Sequence, residues 1–142
     1  MSQAETVARS FADMPLVLKG VTSFFLVFGL GSIVLALVPG IEHRVAGSAL
    51  SAGELWRSGH GPFALAMGLW LVVAALGLLR RASWAGALVM AAYVPFVIAE
   101  ATLSGSPRLA RQALLALAWA ASAAVYLRGT RAAVTFFSGG PR

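Results

Sequence analysis

The side chains that could do chemistry gather in three stretches of the chain. In the first stretch, Glu54, Arg57 and His60 are spaced by three residues. On a helix this spacing gives one broad face that drifts slowly around the axis. A carboxylate and an imidazole on such a face could act as acid and base on a bound molecule, so Glu54 and His60 are candidate catalytic residues. The alternative interpretation is an interfacial turn whose charges contact only water and lipid headgroups.

Glu100, in the second stretch, is a third candidate catalytic residue. It follows an apolar run and lies about one turn inside the end of a predicted membrane span. A carboxylate at that depth is costly unless it is paired, protonated or in contact with water. Arg57, Arg108 and Arg111 are the cations expected at the same level. The sequence leaves two alternatives open for Glu100, a structural salt bridge or a role in ligand binding or proton transfer.

A polar and aromatic stripe forms the third stretch. Gln112, Trp119 and Tyr126 recur every seven residues, and Tyr93 shares a helix face with Glu100. This stripe could line an elongated pocket for a lipophilic molecule. The alternative is packing between helices, with Tyr126 as an interfacial anchor. The predicted ligand-binding residues are Arg57, Tyr93, Arg108, Arg111, Gln112 and Trp119.

Composition indicates which solvent surrounds the folded chain. Apolar residues make up 59% of the 142 residues and charged residues only 11%, whereas a soluble domain carries roughly a quarter charged residues. So few charges cannot cover a water-facing surface, and the lipid bilayer is the expected partner. The net charge of +6 comes from basic residues beside apolar runs, where they act as topology signals and headgroup contacts. A nucleic-acid partner is therefore not expected.

Cysteine is absent and only two histidines are present. The absence of cysteine excludes disulfides, thiol redox chemistry, Cys-ligated metals and iron–sulfur clusters. His43 and His60 lie outside any i,i+4 spacing, so a haem held by both is not expected. The chain contains no nucleotide-binding, zinc-protease or serine-hydrolase motif. The sequence predicts neither a metal nor a cofactor.

Four apolar segments predict an all-α integral membrane protein built as an antiparallel bundle of four transmembrane helices. The first segment covers 16–38 and ends at Pro39-Gly40, a strong helix breaker. The second covers 51–79, with a capping box over 51–54 and a kink or restart near Pro62, which would take the first helical position.

The third segment covers 84–103, with Ser83 as its expected N-cap and a bend at Pro95. The fourth covers 107–128. Small residues on the first two segments are expected to lie at helix contacts, because they let backbones approach closely. They are Gly29, Gly31, Ser32, Gly68 and Gly77.

These segments divide the chain into a cytoplasmic N-terminal arm over 1–15, a transmembrane domain over 16–128 and a flexible C-terminal tail over 129–142. Orientation follows from the Lys and Arg residues near the span ends. Seven lie on the side that carries both termini, and four lie on the other side. The excess predicts that the N- and C-termini are cytoplasmic.

Four short motifs occur along the chain: Pro39-Gly40, the charged entry Glu54–Gly61, the basic turn Arg80-Arg81 and the loop Ser104–Pro107. With these motifs the chain resembles the DoxX-like group of small four-helix bacterial membrane proteins, over about residues 16–128. In such proteins an arginine often stands near the end of the third span, where this chain has Glu100. The resemblance implies a bacterial inner-membrane protein, associated in some members with membrane redox systems or quinone-like molecules.

Three functions remain open at this point. The first is binding of a quinone- or isoprenoid-like molecule, or service as an accessory subunit of a membrane redox assembly. The second is a small membrane enzyme of isomerase, cyclase or hydrolase type that uses acid–base chemistry on a lipophilic substrate. The third is a proton-coupled transporter formed by a dimer, for which Glu100 lies too near the membrane surface. A homo-oligomer or a larger membrane complex is compatible with all three.

Overall fold

The computed structural model describes residues 3–39, 43–45, 48–99 and 109–138. Most of these residues are helical. In chain order the elements are α1 (Gln3–Asp13), α2 (Leu16–Leu37), β1 (His43–Val45), β2 (Ser48–Leu50), α3 (Ala52–Arg57), α4 (His60–Leu79), α5 (Ala85–Met90), α6 (Val94–Ala99), α7 (Leu109–Gly129) and α8 (Arg131–Ser138).

Two of these helices, α2 and α4, are long and apolar enough to cross a membrane, and α7 with α8 makes a third if the bent pair forms one span. At 1.5 Å per residue, the 22 residues of α2 extend over about 33 Å. That length matches a hydrocarbon core of about 30 Å. Leu16, Val27 and Leu37 on α2 are more than half exposed, as side chains that face lipid are.

Close backbone contact between α2 and α4 forms the centre of the molecule. A β-carbon added to Gly29 would lie 2.9 Å from the Gly68 carbonyl oxygen, and one added to Gly68 would lie 2.7 Å from the Gly29 carbonyl oxygen. No side chain fits there, which confirms both glycines as helix-contact positions. Gly77 is also confirmed, because it packs against the Trp84 ring. Gly31 is not a contact position within the described part of the chain, since a β-carbon there would meet no atom within 4 Å.

The second predicted segment consists of two helices. α3 ends at Arg57, and Gly59 adopts a left-handed conformation with φ of 84° before α4 begins at His60. Glycine adopts this conformation without steric cost, so the restart lies where the sequence indicated it. Pro62 takes the third position of α4 rather than the first. A proline is tolerated there because N–H groups of the first turn have no helical acceptor.

The third predicted segment is broken in its middle. α5 ends at Met90, a turn covers 91–93, and α6 begins at Val94. Pro95 has no N–H to donate to the Ala91 carbonyl. That carbonyl oxygen accepts instead from the Val94 N–H at 3.0 Å. The chain therefore bends at the place that the proline predicted, and each half is only six residues long.

The structure corrects one prediction at a helix end. Trp84 occupies the N-cap position of α5, and no side-chain hydrogen bond caps that helix, so Ser83 is not its cap. The predicted tail over 129–142 contains a further helix, α8, at 71° to α7. Ala133 and Phe136 on one face of α8 are buried. Their spacing of three is the amphipathic signal of a helix that packs against the core.

A short antiparallel hairpin of β1 and β2 connects α2 to α3, with His43 paired to Leu50. The stretch between the first two predicted segments thus contains strands, and the described chain is not purely α-helical. The hairpin stands next to α3, and together they form what is here named the α3 end of the molecule.

The opposite end, named the Arg81 end, is formed by α1, the turn after α4, and α8. Arg81 has the left-handed φ of 55°. Its guanidinium lies 3.3 Å from an Asp13 carboxylate oxygen, and its Nε donates to the Ser10 hydroxyl oxygen at 3.4 Å. The same guanidinium lies 4.8 Å from the centre of the Phe136 ring. Arg81 therefore joins three separate elements by charge, hydrogen bonding and a cation–π contact.

Candidate functional site

Glu54, the first candidate catalytic residue, lies at the α3 end and bonds to a residue in its own helix turn. Its carboxylate accepts hydrogen bonds from the Ser51 backbone N–H at 2.8 Å and from the Ser51 hydroxyl at 2.7 Å. The Ser51 hydroxyl oxygen in turn accepts from the Glu54 N–H at 3.4 Å. This is the predicted capping box. The Ser51 donors lower the pKa of Glu54, which suits a helix cap and not a general acid near neutral pH.

Arg57 and His60 do not join Glu54 in a shared site. Arg57 is exposed on the surface, as is Glu54. His60 is half-buried, and its Nδ1 lies 2.9 Å from the Ser58 hydroxyl oxygen. The spacing by three predicted one broad helix face for Glu54, Arg57 and His60. Gly59 interrupts the helix between α3 and α4, so the three residues do not lie on one continuous helix.

Two further candidates, Glu100 and Arg108, lie outside the described residues. Arg111 belongs to the first turn of α7 and is exposed. The contact between Glu100 and an arginine therefore stays a prediction.

A groove of about 640 Å³ lies between α2, α4, the turn before α6, and α7. Its volume falls within the roughly 300–1,000 Å³ that ligand sites occupy. Phe24 and Phe28 at its rim are about half exposed, so the groove is open to the surface of the molecule. Tyr93, Gln112 and Trp119, three of the six predicted ligand-binding residues, meet in it. Its lining residues are Gly20, Val21, Phe24, Phe25, Phe28, Met67, Leu71, Ala92, Tyr93, Gln112, Leu115 and Trp119.

The break between α5 and α6 positions the aromatic side of the groove. Trp119 donates its indole N–H to the Val89 carbonyl oxygen at 2.7 Å. Trp70, on α4, donates in the same way to the Leu88 carbonyl oxygen at 3.3 Å. Both indoles bond to carbonyls next to the turn, where the regular helical pattern ends. The Val89 carbonyl oxygen also accepts from the Ala92 N–H at 3.3 Å. Tyr93 then lies beside Trp119, with ring centroids 5.7 Å apart.

Gln112 brings a side-chain amide to the groove. It is half-buried, and within the described part of the chain its side-chain amide forms no hydrogen bond. An amide that faces an apolar space without a partner is costly. It offers one acceptor oxygen and two N–H donors to a polar group on a bound molecule.

The α2 wall of the groove was not identified from the sequence. Gly20, Phe24 and Phe28 are spaced by four residues and therefore share one face of α2. A β-carbon at Gly20 would meet no atom within 4 Å, so the glycine leaves room at the groove without being a packing contact. The spacing was present in the sequence, but nothing local distinguishes this face from the lipid-facing one.

Among the described residues, no three His, Asp or Glu side chains lie close enough together to hold a metal ion. Comparison with protein-family models, with curated proteins and with solved structures finds no match for this chain. The resemblance to the DoxX-like group accordingly stays a prediction.

Proposed function

We propose that this protein binds a lipophilic molecule with a small polar head, of quinone or isoprenoid type, in the groove between α2 and α7. The observation that carries the proposal is a large apolar groove with the Gln112 amide in its wall, an amide that forms no hydrogen bond with the residues that the structure describes. The aromatic rings of Tyr93 and Trp119 give a flat surface on which an unsaturated ring or chain can stack. Gln112 would bond the polar head, and the apolar wall of α2 would contact the tail.

The proposed binding fits an accessory role in a membrane redox assembly better than an enzymatic one. Neither Glu54 nor His60 lines the groove, so neither is placed to exchange a proton with a molecule bound there. Of the three candidate catalytic residues, Glu100 is the one left to support the enzyme alternative, and it lies outside the described residues.

Filling the groove from α2 tests the proposal. Gly20→Leu places a side chain in open space at the groove, so the fold should tolerate it while the ligand competes with the new volume. Binding of decylubiquinone to the purified protein in detergent, followed by tryptophan fluorescence quenching, should weaken about tenfold, the effect of overpacking a site by about 1.4 kcal/mol.

Gly31→Leu is the matched control, because it makes the same change on the same helix, in open space away from the groove. It should bind decylubiquinone as the unaltered protein does. Equal binding by all three proteins would show that the quinone only partitions into detergent, and it would contradict the proposal.

Gln112→Leu separates a polar-headed ligand from a plain acyl chain. The loss of a hydrogen bond to the quinone oxygen, about 1 kcal/mol, should weaken decylubiquinone binding about fivefold. Tighter binding by Gln112→Leu would mean that only apolar contact matters, and the polar-head part of the proposal would be wrong.

The proposal includes the membrane arrangement predicted above, four antiparallel spans in a bacterial inner membrane with both termini cytoplasmic. Because the chain has no cysteine, single cysteines report cleanly on sidedness. Ser138→Cys should resist a membrane-impermeant maleimide in intact cells, whereas Ser48→Cys should react. Labelling of Ser138→Cys in intact cells would contradict the orientation.

A further inference from the structure

A second, smaller cavity lies at the Arg81 end, between α1 and the turn that follows α4. Its volume is about 160 Å³, which suits a headgroup rather than a whole ligand, since complete ligand sites occupy roughly 300–1,000 Å³. Half of its lining residues are arginines, an unusual share in a chain with so few charges. The lining residues are Thr6, Arg9, Ser10, Leu79, Arg80 and Arg81.

The three arginines differ in how they are held. Arg81 is fixed by its contacts with Asp13 and Ser10, so one guanidinium is preorganised at the cavity. Arg9 and Arg80 are exposed, and neither takes part in an ion pair within the described residues. With Asp13 engaged by Arg81, the cavity keeps an excess of positive charge. Guanidinium groups bind phosphate through two parallel N–H donors, which makes phosphate the ligand chemistry that fits best.

An apolar track leads away from this cavity along α4. Leu69, Val73 and Leu76 are spaced by four and three residues, and Arg80 follows four residues later, so all four share one helix face. The three apolar side chains are 50%, 45% and 42% exposed. The distance from Leu69 to Arg80 is about 16 Å along the helix, close to half of a hydrocarbon core about 30 Å thick. A single acyl chain can therefore follow this face through one leaflet.

From this geometry we propose that the cavity binds the phosphate of an anionic phospholipid whose acyl chain lies along the α4 track. The positive excess selects an anionic lipid over a zwitterionic one, because a choline ammonium would add a further cation to the site. The apolar track offers a surface to an acyl chain, so it favours a lipid over free phosphate. This site is separate from the groove, so either proposal can fail alone.

The test uses the full chain purified in dodecyl maltoside. Phosphatidylglycerol, phosphatidylcholine with the same acyl chains, and inorganic phosphate are titrated separately, with native mass spectrometry and thermal unfolding as readouts. Phosphatidylglycerol should bind and raise the Tm, while the other two should do so weakly or not at all. Equal effects of both lipids, or stabilisation by inorganic phosphate that matches phosphatidylglycerol, would overturn the proposal.

Matched arginine variants locate the site. Arg80→Gln and Arg9→Gln should each weaken phosphatidylglycerol binding about fivefold, from about 1 kcal/mol per arginine near an anionic lipid. Arg128→Gln makes the same charge change in the last turn of α7, which does not line the cavity, and should bind normally. A cooperative thermal unfolding transition, measured with phosphatidylcholine and without phosphatidylglycerol, shows that each variant is folded. A loss in Arg128→Gln equal to that in Arg80→Gln would mean general surface attraction and would also overturn the proposal.

Discussion

The two ends of α4 use their charged residues in different ways. At the α3 end, the carboxylate of Glu54 bonds to Ser51, only three residues away. At the Arg81 end, one guanidinium bonds to Ser10 and Asp13, which lie 71 and 68 residues earlier in the chain. The first contact fixes one turn of helix. The second exists only when α1 and α4 are already in place.

This difference gives the charged residues at the two ends different effects on stability. A capping box forms within a single turn, whatever the rest of the molecule does. A contact that joins distant elements reports on the tertiary fold and is lost when the chain unfolds. We therefore expect mutations at the Arg81 end, and in the core that supports it, to change global stability more than mutations at the α3 end.

The largest effect is expected midway between the two ends. Gly68→Ala would place a β-carbon 2.7 Å from the Gly29 carbonyl oxygen and should reduce the free energy of unfolding by about 2 kcal/mol. Gly31→Ala, which meets no atom within 4 Å, should have no cost. Chemical unfolding in detergent compares them. Equal stability of the two variants would mean that α2 and α4 are not in close contact.

Trp119→Phe should have the next largest effect. It keeps an aromatic ring but removes the indole donor from the Val89 carbonyl, which still accepts from the Ala92 N–H, at a cost of about 1 kcal/mol. Trp84→Phe is the control, because the Trp84 indole donates no hydrogen bond within the described residues. Thermal unfolding should separate the two variants. If Trp84→Phe is the more destabilising, packing and not the hydrogen bond decides the stability of this region.

Arg81→Asn should reduce the free energy of unfolding by about 1 kcal/mol. Asparagine tolerates the left-handed backbone, so the variant removes only the side-chain contacts. Both side chains of the ion pair with Asp13 are about one-third exposed. This exposure keeps the contribution of the ion pair to the free energy of unfolding below about 1 kcal/mol. A double-mutant cycle with Asp13→Asn measures that contribution. A coupling free energy indistinguishable from zero would assign the effect to Ser10 and Phe136 instead.

The smallest effect is expected at Glu54. The pKa of its carboxyl is lowered by the Ser51 donors from an ordinary value of 4.5. Its contribution to stability is therefore fully present above about pH 4.5 and is lost as the pH falls through the lower folded-state pKa. NMR titration of the carboxyl should show the lowered pKa, and Ser51→Ala should restore the ordinary one. An ordinary pKa in the unaltered protein would contradict the capping box.

Features of short range were predictable from the sequence. Pro95 fixed the break in the third segment, Gly59 lay at the restart of the second, and the box over 51–54 formed as its residues indicated. Each depends on backbone chemistry within a few positions. The seven-residue repeat of Gln112 and Trp119 likewise identified one wall of the groove, because helical spacing alone decides which residues share a face.

Only the tertiary structure decided which faces meet. The second wall of the groove, with Gly20 and Phe24, carries the same apolar residues as the lipid-facing side of α2. The burial of Phe136 and its contact with Arg81 join a tail helix to a turn more than fifty residues earlier. Apolar periodicity shows that a helix has a face to bury, but in lipid several faces are equally apolar. The choice among them is made by small residues such as Gly68, which permit one close approach and exclude the others.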